Sequence, residues 1–211
     1  MSRILIAYAT GEGQTARIAD TLANQFHELG HAVEVAHLTG RGLVPDPAMH
    51  DAVIVAASVH AGRHQKHALR FVRRYLADLR QRSAAFISVS GMAAATKPAG
   101  LQQAAEQVET FLRQADWHPA FVETVAGAFR PSLMGRAMRL GMRLMQKLAR
   151  KDLDRLGWPA DLSHDQEFTD WVALRRFGER FATALPTEAA AAPPLHVPSA
   201  AVPTEAQPRV H

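Results

Sequence analysis

Short, almost continuously apolar runs alternate with longer amphipathic segments over the first 129 residues, and this alternation constrains the fold more than any other feature. Five runs have the length and residue types of buried strands: Arg3–Ala9, Val33–Leu38, Ala52–Ser58, Ala84–Ser90 and Phe121–Ala128. Between them, apolar residues recur at helical spacing. Strands that are apolar on both faces are typical of a parallel sheet covered by helices on both sides. The sequence therefore predicts an α/β fold with a doubly wound, five-stranded parallel sheet, and ligands beyond the carboxyl ends of its strands.

The composition excludes several classes of protein. The chain has 211 residues and no cysteine, so disulfide scaffolds, iron–sulfur clusters and a thiolate nucleophile are excluded. It contains no apolar run of the roughly 18 residues that a membrane span needs. The amino terminus lacks the features of a secretory signal. We therefore expect a cytoplasmic protein.

Two stretches do not fit the strand–helix repeat. Residues 130–166 separate the last predicted strand from the last amphipathic segment, where a few residues would normally suffice. Residues 186–211 hold six of the twelve prolines and seven alanines, a composition typical of disorder. We therefore expect one domain over residues 1–185, with an insertion at residues 130–166, followed by a disordered tail over residues 186–211.

A glycine-rich turn follows the first predicted strand and leads directly into a predicted helix. Its sequence is Thr10-Gly11-Glu12-Gly13-Gln14-Thr15. Free backbone N–H groups and the positive end of the helix dipole make such a turn suitable for a phosphate, although its threonines would also suit a simple helix cap. A dinucleotide site is a weaker alternative, since no acidic residue ends the second strand, while Arg41 could meet the 2′-phosphate of NADP.

Several motifs together resemble a known family. The turn Thr10–Thr15 looks like the phosphate loop of flavodoxins. Four further segments resemble the flavodoxin-like, menaquinone-dependent protoporphyrinogen oxidases of bacteria: Ala57-Ser58-Val59-His60-Ala61-Gly62-Arg63-His64, Asp116-Trp117-His118-Pro119, Ala126-Gly127-Ala128-Phe129-Arg130 and Phe168-Thr169-Asp170-Trp171. Those enzymes also carry a long insertion before the last helix. The resemblance spans roughly residues 3–182, and it is the combination of motifs that is specific.

The resemblance implies an FMN-dependent oxidation of protoporphyrinogen IX to protoporphyrin IX in heme biosynthesis, with the electrons passed to menaquinone or ubiquinone. It places FMN between the loops that follow four strands, and it indicates no catalytic base. The implied cofactor-binding residues are Thr10, Gly11, Glu12, Gly13, Gln14, Thr15, Ser58, Val59, His60, Ala61, Gly62, Ser90, Gly91, Met92, Gly127 and Ala128.

One departure from the flavodoxin pattern concerns the aromatic residues that commonly sandwich the flavin ring. The loops after the third and fourth strands contain neither Tyr nor Trp, so stacking by His60, His64 or a methionine is the alternative. The histidines at 60, 64 and 67 have helical spacing, but the sequence offers no matching acid or fourth ligand. We therefore expect no metal site there.

Other functions use parts of the same pattern. A flavodoxin-type electron carrier would share the FMN site, but such carriers are typically acidic and have no basic insertion. An NAD(P)H:quinone reductase would reduce its flavin with a nicotinamide. The basic segment could also contact nucleic acid, yet it has no aromatic residue between Pro131 and Leu156 for base stacking, so we expect no nucleic-acid partner.

The insertion concentrates positive charge. Residues 130–155 hold eight Lys or Arg against two acidic residues. On a helical wheel, a methionine stripe opposes a basic face, which is the pattern of a helix lying in the plane of lipid headgroups. The alternative is that the methionine stripe packs against the body or against a second subunit. A homo-oligomer is therefore also possible. The residues predicted for membrane or quinone contact are Met134, Arg136, Met138, Arg139, Met142, Arg143, Met145 and Lys147. We expect a peripheral protein on the anionic cytoplasmic face of the inner membrane.

Overall fold

The computed structural model describes residues 1–39, 44–133, 135, 140–141, 144, 147–158 and 164–185. Its strands are β1 (Arg3–Ala9), β2 (Ala32–His37), β3 (Ala52–His60), β4 (Arg63–His64), β5 (Ser83–Ser90), β6 (Phe121–Ala126), β7 (Ala128–Phe129) and β8 (Gln166–Glu167). Its helices are α1 (Gln14–Glu28), α2 (Lys66–Arg74), α3 (Leu76–Arg80), α4 (Pro98–Ala115), α5 (Arg150–Leu156) and α6 (Trp171–Thr183). The tail over residues 186–211 lies outside the described residues.

Five parallel strands form the central sheet in the order β2-β1-β3-β5-β6. The predicted doubly wound α/β fold is thereby confirmed. β1 lies between β2 and β3, and Ile6 aligns with Val35 on one side and with Ile54 on the other. The strand order reverses at β1, so the chain leaves β1 and β3 toward opposite faces of the sheet. A crevice therefore opens at the carboxyl ends of these strands.

Both faces of the sheet are covered, which explains why its strands are almost continuously apolar. Ile4 and Ile6 point into one core, where α1 and α6 contribute Leu22, Phe26 and Phe177. The alternate residues of the strands point into a second core beneath α2 and α4. That core contains Leu5, Val53, Val55, Phe71, Phe86, Val108, Phe111 and Trp117. Because successive side chains alternate across a strand, each strand needs apolar residues at every position.

Three predicted elements differ in extent. The strand predicted over Phe121–Ala128 ends at Ala126, because Ala128–Phe129 leaves the sheet to pair antiparallel with Gln166–Glu167. The third strand continues to His60 and turns back into β4. The amphipathic segment between the third and fourth predicted strands forms two helices, α2 and α3, which are separated at Tyr75, whose φ of −112° departs from helical geometry.

The two ends of the insertion are joined to each other at its base, and its last helix packs on the body. At its base, β7 pairs with β8, and the Ser132 hydroxyl and backbone N–H both donate to the Asp165 carboxylate. These hydrogen bonds lower the pKa of Asp165, so that its charge supports the contact. Near its end, α5 packs on α4. Of the predicted helical insertion, residues 140, 141, 144, 147 and 148 and α5 are described as helical.

No helix in the described part of the chain combines the length and the apolar content that crossing a membrane requires.

His64 is drawn into the second core rather than left in a loop. Its Nε2 and the Ser88 hydroxyl share a hydrogen bond of 2.8 Å. Its ring packs edge-on against the stacked rings of Phe86 and Phe111, at centroid distances of 5.3 and 5.0 Å. Burial lowers the pKa of the imidazole to about 4. His64 is therefore a neutral structural residue, and it is unable to stack on a ligand at the sheet edge.

This environment predicts a specific pH dependence of stability. The unfolded imidazole has a pKa of about 6.5, so the unfolded state binds the proton first, and the His64 contribution is lost as the pH falls from 6.5 toward 4. Between pH 7 and pH 4.5 we expect wild type to lose about 2–3 kcal/mol more than His64→Gln, which keeps a polar partner for Ser88. Urea unfolding at the two pH values measures this difference. Parallel losses in the two proteins would contradict it.

Candidate functional site

A cleft lies at the carboxyl edge of the sheet, where the loops after β1, β3, β5 and β6 converge; we refer to it as the edge cleft. Most residues predicted from the sequence to surround a cofactor line it. The lining residues are Thr10, Gly11, Glu12, Gln14, Thr15, Ser58, Val59, His60, Gln65, Val89, Ser90, Gly91, Gly127 and Ala128. Four distant segments of the chain are therefore brought together at the point where the strand order reverses.

The loop after β1 presents the amino terminus of α1 to the edge cleft. Gly13 has a φ of +86°, a conformation that favours glycine, and its N–H donates to the Thr10 hydroxyl at 3.0 Å. This turn points the first N–H groups of α1 toward the cleft, where they attract an anion. Gly13 shapes the turn without lining the cleft itself.

Thr15 provides the most direct sign of a ligand. Its side chain is fully buried, it lines the edge cleft, and its Oγ1 has no hydrogen-bond partner within the described residues. A buried hydroxyl without a partner costs about 1–3 kcal/mol, so an orphan at a helix amino terminus indicates a site for an anionic acceptor. The two threonines therefore differ, since Thr10 stabilises the turn while Thr15 is available to a ligand.

Gln14 connects this loop to the base of the insertion. Its buried amide donates to the Glu167 carboxylate at 2.9 Å and to the Thr169 hydroxyl at 2.8 Å. Its carbonyl oxygen accepts from Arg130 at 3.1 Å. Thr169 in turn donates to the carbonyl of Ala126 at 2.7 Å, beside the cleft. The insertion and the loop after β1 are thus joined through one side chain.

The charges beside this loop are partly balanced. Arg17 and Glu167 form an ion pair of 2.8 Å. Burial by itself raises the pKa of Glu167, but hydrogen bonds from Arg17 and Gln14 outweigh it and lower the pKa overall, so the carboxylate is charged. Arg17 and Arg130 thus lie beside a loop that carries Glu12 and adjoins Glu167, so positive and negative charges are balanced there.

The loop after β3 is the tip of the β3–β4 hairpin. Ala61 and Gly62 both have positive φ, as a two-residue hairpin turn requires. They lie at the tip and do not line the edge cleft, whereas Ser58, Val59 and His60 do. Gln65 was missed by the sequence analysis: its N–H donates to the Ser58 carbonyl at 3.1 Å, a contact that exists only because the hairpin folds back.

The loop after β5 forms the opposite wall. Ser90 and Gly91 line the edge cleft, while Met92 begins a short 3₁₀ turn, closed by the Ala93 N–H on the Ser90 hydroxyl, and does not line it. Val89, also missed, lines the cleft from the end of β5. An ideal Cβ on Gly91 would lie only 2.0 Å from Cη2 of Trp158. An aromatic residue of the insertion therefore packs against a loop that has no aromatic residue of its own.

Most of the predicted membrane-contact residues lie outside the described residues: Met134, Arg136, Met138, Arg139, Met142, Arg143 and Met145. Lys147 is described, and it is helical and exposed. Three leucines on the same stretch, Leu140, Leu144 and Leu148, are 69%, 58% and 79% exposed. They follow one another at four-residue spacing, which in a helix corresponds to one face, and we call these three exposed residues the leucine stripe.

The strand order and a phosphate-type loop at its reversal point define a flavodoxin-like protein. The chain belongs to the flavodoxin domain family, because its residues 5–155 match the sequence model of that family. Flavodoxin domains bind FMN, which confirms the predicted cofactor.

Two relatives and one solved structure illustrate the similarity. A protein of Escherichia coli (strain K12) named protoporphyrinogen IX dehydrogenase (quinone) is 27% identical over 180 residues, 85% of this chain and 94% of its own length. A Leishmania major protein of the same name is 29% identical over 188 residues, 87% and 76% of the two chains. The apo structure of an NADH:FMN oxidoreductase covers 89% of this chain and 92% of its own, with a TM-score of 0.50 and 13% identity, which supports the fold. The relatives are oxidoreductases, and this chain is a flavodoxin-like FMN oxidoreductase.

Proposed function

We propose that this protein oxidises protoporphyrinogen IX to protoporphyrin IX with FMN bound in the edge cleft, and that the electrons pass to a membrane quinone. The unpaired hydroxyl of Thr15 at the start of α1 is the observation that carries the FMN site. The names of relatives that align over 85% of the chain support the substrate and the acceptor. The alignments extend well beyond the sheet, so they include part or all of the insertion.

The residues of the edge cleft suit the parts of FMN. Thr15 Oγ1 and the first N–H groups of α1 would hold the phosphate. The loops after β3 and β5, with Gly127 and Ala128 beside them, would hold the ring. Bound FMN supplies an acceptor that takes two electrons at a time and returns them to a quinone. The substrate loses six electrons and six protons in total, so one conversion needs three turnovers.

Replacement of Thr15 tests the phosphate site, because it should change stability and binding in opposite directions. Thr15→Val removes a buried unpaired hydroxyl without changing the shape of the side chain, so the apoprotein should be as stable as wild type or more stable. The same variant should bind FMN about 10–100-fold more weakly, since a hydrogen bond to a charged group contributes about 1.5–3 kcal/mol. Thr15→Ser, which keeps the hydroxyl, should bind FMN like wild type. Calorimetric titration with FMN and urea unfolding of the apoprotein measure the two effects, and equal affinity in Thr15→Val and Thr15→Ser would place the phosphate elsewhere.

The reaction itself separates the proposed enzyme from the two alternatives. FMN-loaded protein mixed anaerobically with protoporphyrinogen IX and a quinone should produce porphyrin fluorescence, and omission of the quinone should limit the yield to the bound flavin. The second strand ends without an acidic residue for a nicotinamide ribose, so NADH and NADPH should reduce the flavin slowly or not at all. Rapid reduction by NADH with no response to porphyrinogen would identify a reductase. A flavin that responds only to a protein donor would identify an electron carrier.

We further propose that the insertion seats the protein on an anionic membrane surface. The leucine stripe is exposed, and exposed basic residues occur in the same stretch of sequence at Lys147, Arg150 and Lys151. An apolar stripe bordered by positive charge is typical of helices that lie among anionic headgroups. A membrane quinone is dissolved in the bilayer, so this position would bring the edge cleft near its electron acceptor. The membrane concerned would be the inner membrane, at its cytoplasmic face.

Vesicle flotation tests the membrane contact. Wild type should float with vesicles that contain phosphatidylglycerol, and salt or pure phosphatidylcholine should weaken binding. Leu144→Ser with Leu148→Ser should lower binding at least tenfold, because two buried leucines contribute several kcal/mol. Leu101→Ser, on the exposed side of α4, is the matched control and should float like wild type. If wild type does not float and is a dimer, whereas the variant with both substitutions is a monomer, the leucine stripe contacts a second copy of the chain instead.

A further inference from the structure

The end of α5 is fixed on the body by contacts that set the direction of Trp158. The Gly157 N–H donates to Asp154 and the Trp158 N–H donates to Leu153, at 3.2 and 3.0 Å, which closes the helix with Gly157 at a φ of +69°. The N–H and the hydroxyl of Thr96 both donate to the Gly157 carbonyl, at 2.9 and 3.1 Å. Trp158 therefore follows a residue whose carbonyl is held by Thr96, and Thr96 lies just beyond the loop that follows β5.

The same junction is tight at a second point, on α4. An ideal Cβ on Gly100 would lie 2.3 Å from the carbonyl oxygen of Leu156. Backbone and backbone are in direct contact there, so α5 has little freedom to shift on α4. The insertion is therefore docked beside the edge cleft rather than tethered loosely to it.

The indole of Trp158 occupies the space that a side chain at position 91 would fill. Gly91 has a φ of −67° and a ψ of −36°, a conformation open to every L residue. Its backbone therefore does not require glycine. The ideal Cβ would nevertheless lie 2.0 Å from Cη2 and 2.6 Å from Cζ3 of the indole. The three atoms nearest to that Cβ all belong to Trp158, so the indole excludes a side chain at Gly91.

We propose that Trp158 is a positioning residue of the flavin site, through which the insertion holds the Ser90–Met92 segment at the edge cleft. This inference deepens the proposed function and rests on FMN binding in that cleft. The loops after β3 and β5 contain no Tyr or Trp. Trp158 packs against Gly91 from another part of the chain and does not itself line the cleft. The insertion thereby forms part of the cofactor site as well as a contact for the membrane.

Loss of the indole has a defined consequence. Gly91 lines the edge cleft and also packs against Trp158. Without the indole, the segment loses its outer support and water gains access to the wall that faces the ring. FMN affinity and the midpoint potential of the bound flavin both depend on that wall, whereas the phosphate loop around Thr15 is unaffected.

Four variants of the full chain test the proposal. Trp158→Ala should raise the Kd for FMN about tenfold and shift the midpoint potential of the bound flavin, and Trp158→Phe should restore both. Gly91→Ala should weaken FMN binding because its methyl group would collide with the indole. In the double variant Gly91→Ala with Trp158→Ala the collision is absent, so it should bind FMN better than Gly91→Ala alone. A fifth variant, Asp152→Asn, changes an exposed residue of α5 and serves as the control that should match wild type.

The outcomes separate this proposal from the function on which it rests. Unchanged affinity and potential in Trp158→Ala, with Thr15→Val still impaired, would overturn the role of Trp158 and leave the FMN site in place. If the loss of FMN affinity in the double variant equals the sum of the losses in Gly91→Ala and Trp158→Ala, the indole does not restrict the residue at position 91. Unchanged FMN binding in Thr15→Val would overturn the FMN site itself. Thermal unfolding of each apoprotein distinguishes a lost contact from a lost fold.

Discussion

Burial of β1 on both faces is the constraint on which the remaining structure depends. Ile4, Leu5, Ile6 and Ala7 are all completely buried between two helical layers and two neighbouring strands. With β2 on one side and β3 on the other, the strand order must reverse at β1, and the crevice of the edge cleft forms there. The left-handed turn at Gly13 then places the start of α1 at the mouth of that crevice. The position of the start of α1 at the cleft is therefore a direct consequence of how this buried strand ends.

The insertion is integrated with this site at two independent places. Gln14 joins the loop after β1 to Thr169, Glu167 and Arg130 at the base of the insertion. Trp158 joins its far end to Gly91 on the opposite wall of the cleft. Each contact uses a residue at or near the end of a regular element, where side chains from different parts of the chain meet. Such an arrangement holds α5 and the base of the insertion in a constant relation to the edge cleft.

Much of the site could be anticipated from the sequence, because it depends on local signals. The turn from Thr10 to Thr15 is contiguous, and parallel strands place their carboxyl ends at one edge, so the loops at Ser58, Ser90 and Gly127 were expected to meet. The sequence did not reveal that Ala61, Gly62 and Met92 would lie off the cleft, or that Gln65 would line it. Those details depend on the β3–β4 hairpin and on a 3₁₀ turn. His64 was also ambiguous, since its pairing across that hairpin directs it into the core.

The sequence by itself determined the fold class, the number and location of the five parallel strands to within a few residues, and the phosphate-type loop. These features follow from alternation of side chains along a strand and from glycine at a helix start, which are properties of short segments. Only the tertiary structure decided that β6 ends at Ala126, that the Thr15 hydroxyl is buried with no partner among the described residues, and that Trp158 lies on Gly91. Each of these depends on residues far apart in the chain, and the free energy of such contacts comes from packing that no local pattern encodes.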